Sequence, residues 1–355
     1  MKRYLSIFFA LALIFALFTG CKAPETTDGE TVDLENNETA PPADDSNEPD
    51  ETQPIDGTIR LASLKGPTTM GLVKLLDEAE SDGLSYEVES SIYGTADEVS
   101  ALLINGELDM AAIPANLASV LFNKTEGALK VAAINTLGVL SVLELGDSVN
   151  SISDLAGKTV YSTGKGTTPE YSLNAILSGN DIDPETGLTV EFKSEATEIA
   201  ALLSGETAVS GTIAILPQPY ATTVLMANPE ARIALSLSDE WENAALDGRL
   251  VTGVLVVSSE FAENNPELLD AFLADYESSA AWVNENQTEA AELIAAIGIV
   301  PKSEVALKAL PHCSITFISG SAMKTDLSAY LGALFEQNPQ SVGGTLPDDS
   351  FYYGA

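Results

Sequence analysis

The sequence predicts an α/β body of two similar lobes, and three observations carry that expectation. Short apolar-alternating runs take turns with helix-like segments, the signature of βαβ units on a largely parallel sheet. One such unit occurs twice, at 57–119 and again at 157–221. A second echo, Gly-Val-Leu-x-Val, stands on either side of the second copy, at 138–142 and 253–257. A chain that leaves one lobe for another and returns needs two such crossing strands.

The elements follow in order. Lys2 and Arg3 precede an uncharged apolar run from Tyr4 to Phe18. That is short for a bilayer span and suits the apolar part of a secretory signal. The run closes on Leu17-Phe18-Thr19-Gly20-Cys21. Small residues before a cysteine resemble a lipoprotein cleavage box, making 1–20 a leader and Cys21 a lipidated first residue. Phe18 departs from the aliphatic residue usual at its place, and an ordinary leader with an incidental cysteine is the alternative. From Cys21 to Gly57 the chain is rich in Glu, Asp, Thr, Pro and Asn without hydrophobic periodicity. It cannot bury apolar surface and reads as a disordered acidic linker, with a reach of about 30–35 Å.

In the first unit a strand at Ile59–Leu64 runs into a Lys-Gly and Thr-Thr loop, a helix, a strand at Tyr86–Ser90 and a helix around Glu98–Leu103. The second unit matches it with Thr159–Ser162, Leu188–Lys193 and Glu198–Leu203. Apolar residues in the paired helices fall at i, i+3 and i+4, one helical face. Both helices end near Gly-Glu, and an apolar run then reaches Pro114 or Pro217. The two Gly-Val-Leu-x-Val runs are the hinge strands. Lobe 1 is expected to combine 58–138 with 253–355, and lobe 2 to span 139–252. The helical stretches 265–297 and 326–337 should pack on the first lobe.

The formal net charge is −37, and −39 once Lys2 and Arg3 leave with the signal. Nucleic-acid affinity rests on cationic contacts, so this balance excludes that class and disfavours anionic lipid. A soluble extracytoplasmic surface explains it. With Cys21 lipidated only Cys313 remains, so no intrachain disulfide forms and the core holds by packing alone, which a body of about 300 residues can do.

The loop Ser162–Tyr171, "STGKGTTPEY", holds the question of function. Thr168-Pro169-Glu170 reads as a threonine N-cap, a proline at the first helical position and a first-turn acid. Thr68 or Thr69 can play the same part in the first unit. Both helix starts are then expected to point into one cleft, where free N–H groups favour a carboxylate, sulfonate or similar group. Nucleotide binding fits poorly. Gly157-Lys158-Thr159 resembles the end of a Walker loop, but Ile152 stands where its first glycine belongs and the tripeptide precedes its strand. Gly164-Lys165-Gly166 fails at its third place.

Catalysis fits no better. His312 is the lone histidine, beside Cys313. On a strand these neighbours point to opposite faces, giving a surface histidine and a buried cysteine. No metal-ligand spacing occurs, so no catalytic residue, metal or cofactor is expected. Tyr93, Tyr171 and Tyr220 fall on the predicted cleft side and Trp241 in a loop. They can wall a flat or partly apolar solute, or merely pack the lobes. Asn116, Asn135 and Gln218 are amides able to orient it.

"ISDLAGKTVYSTGKGTTPEY", "TGVLVVSSEFAENNPELLDAFLADYESSAAWVNEN" and the tail from Pro311 to Tyr353, in this order behind a lipobox, resemble the substrate-binding lipoproteins of ABC importers. The likeness is to the branch of nitrate, sulfonate, taurine and thiamine-precursor binders. It implies a two-lobed periplasmic-binding-protein fold of the second type, closing around a small solute. Implied partners are an ABC permease, its ATPase and, through Cys21, the membrane; the protein is expected to be an extracytoplasmic monomer. By position the resemblance lines the cleft with Lys65, Gly66, Thr68, Thr69, Tyr93, Gly94, Pro114, Asn116, Asn135, Lys165, Gly166, Thr167, Thr168, Gln218 and Tyr220, to which Tyr171 is added. A hydroxymethylpyrimidine synthase on the same fold would require a cysteine-rich signature and a catalytic histidine, and this chain has neither. An exported enzyme, or a surface sensor without a transporter, is the alternative.

Overall fold

The computed structural model describes residues 55–355 apart from Thr207. The leader at 1–20, Cys21 and residues 22–54 of the acidic tract lie outside the described residues. The first half runs β1 (Thr58–Leu64), a one-turn α1 (Pro67–Met70), α2 (Val73–Glu80), β2 (Glu87–Tyr93), α3 (Ala96–Ile104), β3 (Met110–Pro114), α4 (Ala115–Lys124) and β4 (Leu129–Leu137). The second half runs β5 (Leu140–Leu145), β6 (Thr159–Ser162), α5 (Thr168–Gly179), β7 (Thr189–Phe192), α6 (Ala196–Ser204), β8 (Ile213–Pro217), α7 (Tyr220–Ala227), β9 (Ala231–Ser236) and α8 (Leu237–Asn243). The chain returns through β10 (Val251–Ser258). It ends in α9 (Ser259–Asn264), α10 (Pro266–Glu285), α11 (Gln287–Ala296), α12 (Ser303–Ala309), β11 (Ile315–Ile318) and α13 (Gly320–Gln337). Among the described residues no helix is long and apolar enough to cross a membrane.

The duplication predicted from sequence is a duplication of topology. β1 pairs in parallel with β2 and β3, and β6 does so with β7 and β8. β10 lies antiparallel between β3 and β4, as β5 lies antiparallel between β8 and β9. The strand order β2-β1-β3-β10-β4 of the first sheet therefore matches β7-β6-β8-β5-β9 of the second, with β11 added at one edge. The Gly-Val-Leu-x-Val echo marks equivalent strands. Each enters the interior of a sheet after the chain has crossed, and the two are not bonded to one another. A strand covered on both faces reads as a continuous apolar run, and Val254, Leu255, Val256 and Val257 are all fully buried.

One face of the first sheet packs Leu61, Leu255 and Val257 under Phe272 and Tyr276 of α10. The other joins Ile134 and Val254 to Val142, Val160 and Ile215 of the second sheet in one continuous core. Helix α13 packs against β4, β10 and α4 of the first lobe and also against the second. Its buried stripe is Met323, Leu327, Tyr330, Leu331 and Leu334. The Tyr330 ring packs 5.4 Å from that of Trp241 in α8, and its hydroxyl lies 3.3 Å from Ser172 in α5. The segment after it accepts hydrogen bonds from α4, Asn116 donating to the Ser341 carbonyl and Ser119 to that of Val342. Trp241 itself, expected in a loop, sits fully buried in α8, which Ser236 caps by accepting the Asp239 N–H.

Among the described residues two buried carboxylates lie at the edge where the parallel strands begin. Asp109 receives the Arg60 guanidinium. Glu144 is fully buried and accepts from the Ser148 and Val149 N–H groups at 2.9 and 3.1 Å and from Arg232 at 2.7 Å. Burial alone would raise the Glu144 pKa. Hydrogen bonds from Ser148 and Val149, with the Arg232 charge, outweigh it and hold the group below the ordinary 4.5. A lowered carboxyl stabilises the fold above its unfolded pKa and ceases to do so as pH falls through the folded one. Glu144→Gln is expected to cost about 1–3 kcal/mol at neutral pH and to flatten the acid limb of the stability curve. Thermal unfolding of both proteins at pH 7 and at about pH 3.5 checks this; an equal acid loss in the two refutes it.

Candidate functional site

Loops that follow the carboxyl ends of strands are where an α/β sheet exposes its helix starts. In the first sheet those ends are Leu64, Tyr93 and Pro114, and the register carries the edge on through Gly253 and Thr136. In the second they are Ser162, Phe192 and Pro217, continued by Leu140, Ser141 and Ser236. The chain passes between these two edges at 138–139 and again through 237–250. The crossings touch, since a side chain at Gly138 would strike Ser238 and Leu250. The two carboxyl edges thus face one another, and one contact joins them directly. Thr168 Oγ1 donates to Asn116 Oδ1 at 3.3 Å, both residues almost fully buried. The Asn116 amide is oriented for this by its other bond, Nδ2 to the Ser341 carbonyl at 3.1 Å.

On the second lobe, Gly164 and Gly166 adopt left-handed φ values of 71° and 76°, which only glycine takes freely. The cap of α5 is Thr167, one residue earlier than expected, and its hydroxyl donates to the Gly164 carbonyl at 2.7 Å. Thr168 is thereby released to face Asn116. The expected set of free amide donors is smaller than the sequence suggested, because the Glu170 carboxylate accepts the Gly166 N–H. Lys165, Gly166 and Tyr171 line an open groove of about 760 Å³ with Glu170, Asn174 and Phe192, beside the edge strand β7. The Lys165 ammonium stands 5.9 Å from the centre of the Phe192 ring. Gln218 is buried, its Oε1 accepting from the Thr222 hydroxyl at 2.8 Å. Tyr220 is half-buried; burial, then the Glu195 charge, raises its phenol pKa.

On the first lobe, Thr68 and Thr69 do not cap α1, which follows Gly66. Both hydroxyls donate back to the Leu64 carbonyl. Lys65 and Gly94 are exposed, while Tyr93 and Pro114 are half-buried. Lys65 N–H donates to the Tyr93 carbonyl at 2.9 Å, tying the two loops together. Asn135 lies deeper. Gly253 pairs with Thr136 but Val254 with Ile134, so Asn135 is the extra residue of a β-bulge, a device that re-aims side chains. A Cβ at Gly253 would lie 2.6 Å from both Asn135 Oδ1 and Thr68 Cγ2. Tyr276 reaches the same place from α10, its ring edge close under Gly71.

The Asn135 amide and the hydroxyls of Thr136, Thr252 and Tyr276 are buried without a hydrogen-bond partner among the described residues. Burial pushes the Tyr276 phenol pKa up and the neighbouring Asn135 amide pulls it down, although no hydrogen bond of normal geometry joins the two. Unpartnered buried polar groups are uncommon in folded proteins. Thr136, Thr252 and Tyr276 carried no signal in the sequence beyond the adjacency of Thr136 to Asn135.

His312 and Cys313 lie far from chemistry of their own. His312 closes a 3₁₀ turn rather than standing on a strand, and is exposed. Cys313 is buried with its thiol 3.2 Å from the Ala309 carbonyl and its pKa pushed up to about 12 by burial. Among the described residues no group of three or more His, Cys, Asp or Glu could hold a metal ion.

The family model described as NMT1/THI5 like matches residues 83–290. No curated protein matches the chain in sequence. Among solved structures, that of an ABC transporter from Parabacteroides distasonis is similar over 83% of this chain and 98% of its own, at 21% identity and a TM-score of 0.68. The alkanesulfonate-binding protein SsuA from Xanthomonas axonopodis pv. citri, bound to MOPS, is similar over 82% and 94%, at 15% identity and 0.62. The periplasmic aliphatic sulphonate binding protein SsuA from Escherichia coli gives 82% and 92%, at 15% and 0.64. These likenesses show a shared periplasmic-binding-protein fold.

Gly253→Ala is expected to push Asn135 and Thr68 apart and to lower stability by about 1–3 kcal/mol. A thermal midpoint equal to that of the parent would show that the bulge yields to a methyl group.

Proposed function

The chain belongs to the NMT1/THI5-like family, and from that premise we propose that it is the solute receptor of an ABC importer, holding a small organic molecule between its lobes and delivering it to a membrane permease. The observation that carries the reading is the facing pair of carboxyl edges, joined across the crevice by Thr168 and Asn116. Duplicated sheets linked by two crossings can rotate about those crossings, the hinge closure known for such architectures. Solved structures of the same fold include the sulfonate binders named above. The leader and Cys21 support a lipid anchor outside the cytoplasm, with the acidic linker as its tether and the body acting as a monomer.

The residues proposed to meet the solute are the polar groups of the two edges, with Tyr93 and Tyr220 as partial walls. Binding without covalent change suits them. The buried thiol of Cys313 is a poor nucleophile at its raised pKa, and the sole histidine stands on the surface beside it.

Incubating the purified protein with a metabolite mixture and identifying retained compounds by mass spectrometry tests the reading. Intact retained solute supports a receptor, and converted product refutes it in favour of an enzyme. Thr168→Val keeps the shape of the side chain and removes the hydroxyl that reaches Asn116. It is expected to weaken retention by about 3- to 10-fold by loosening the contact between the two edges; parental retention would show that this contact does not support binding.

A further inference from the structure

We infer that the solute held in this crevice is uncharged and that Asn135 and Tyr276 read it, as a donor–acceptor pair without a charged neighbour. The inference rests on the receptor reading and narrows it. Its first ground is where formal charge is buried. Among the described residues only Asp109 and Glu144 are buried charged residues, each is matched by its own arginine, and both stand at the edge where the parallel strands begin, opposite the carboxyl edges. At the carboxyl edges the buried polar residues are neutral, among them Asn116, Thr136, Thr168 and Gln218.

The cations nearest the crevice do not reach into it. Lys65 and Lys165 are exposed, and Lys165 turns toward Phe192 in the outer groove. The backbone donor at Gly166 that would suit an anion already holds the Glu170 carboxylate, which adds a negative charge to the same loop. An ion drawn into such surroundings loses hydration that nothing there replaces, a far larger cost than burying an amide or hydroxyl that finds partners.

The second ground is which neutral groups remain free. Asn116, Thr168 and Gln218 spend their polar atoms on protein partners. Asn135 and Tyr276 are both 1% exposed and have none. The bulge in β4 and the length of the tyrosine bring them beside Gly253 and Gly71, positions that are closely approached: a Cβ at Gly253 would lie 2.6 Å from Asn135 Oδ1, and one at Gly71 3.6 Å from the Tyr276 ring. Asn135 offers two N–H donors and a carbonyl, and Tyr276 one hydroxyl that donates or accepts. They complement a molecule presenting a donor and an acceptor side by side. A site whose buried polar groups need partners rejects analogues that lack them.

Titration calorimetry at pH 7 tests this, with cytosine and nicotinamide as uncharged probes of that kind and ethanesulfonate and nitrate as anions. The expected result is saturable binding of an uncharged probe, changing less than about two-fold between about 20 and about 500 mM NaCl. Tyr276→Phe and Asn135→Ser are each expected to weaken it by about 10-fold. Tyr86→Phe, whose hydroxyl bonds Asp275 away from the crevice, should bind as the parent does. Binding of an anion but of neither uncharged probe overturns the inference and leaves the receptor reading standing. So does parental affinity in Tyr276→Phe, a variant that retains the ring and its packing. Binding of none of the four, with nothing retained from the metabolite mixture either, removes the inference and the receptor reading together.

Discussion

The antiparallel ladder that β10 makes with β3 on one side and β4 on the other is the constraint on which the body depends. Strands β1, β2 and β3 run in parallel and must be joined by crossover helices, so none of them can supply an antiparallel neighbour to the next. That neighbour has to arrive from elsewhere, and it arrives from the other half of the chain. The second sheet is completed in the same way by β5, immediately after the chain leaves the first. Each sheet is thus closed by a strand that has just crossed, and neither half has a finished interior without the passage between them. The ladder also sets the place of the bulge, because its register is what leaves Asn135 without an opposite residue.

Charge is distributed to agree with this plan. With 53 acidic residues against 16 basic ones, the surface repels itself and stays soluble. The interior avoids the conflict. The two buried carboxylates among the described residues are satisfied by arginines at the strand starts, leaving the opposite edges to amides and hydroxyls.

Much of the fold was legible because the same physics is written twice. Apolar alternation, helical spacing and the Gly-Val-Leu-x-Val runs each recur, and recurrence separates a pattern from chance. What escaped depends on partners distant in sequence. Trp241 reads as a loop residue unless Ser236 is taken as a cap, a cue that Ser236-Leu237-Ser238-Asp239 did contain. The cap of α5 fell one residue early because Thr167 and Thr168 are equivalent until the glycines before them fix the turn. Asn135 stood out as an amide, but a bulge exists only relative to a paired strand. Tyr276 lies within a long amphipathic helix, where nothing local distinguishes a packing tyrosine from one whose hydroxyl is left free.

The C-terminal helix bears on how the two lobes can move. Two crossings alone would let the halves both bend and twist. Helix α13 adds a third connection, gripping Trp241 and Ser172 of one lobe through Tyr330 while the segment behind it is pinned to α4 of the other. In the proposed closure, a helix tied to both lobes would have to travel with one and slide against the other, so the packing around Tyr330 would set how far the lobes part.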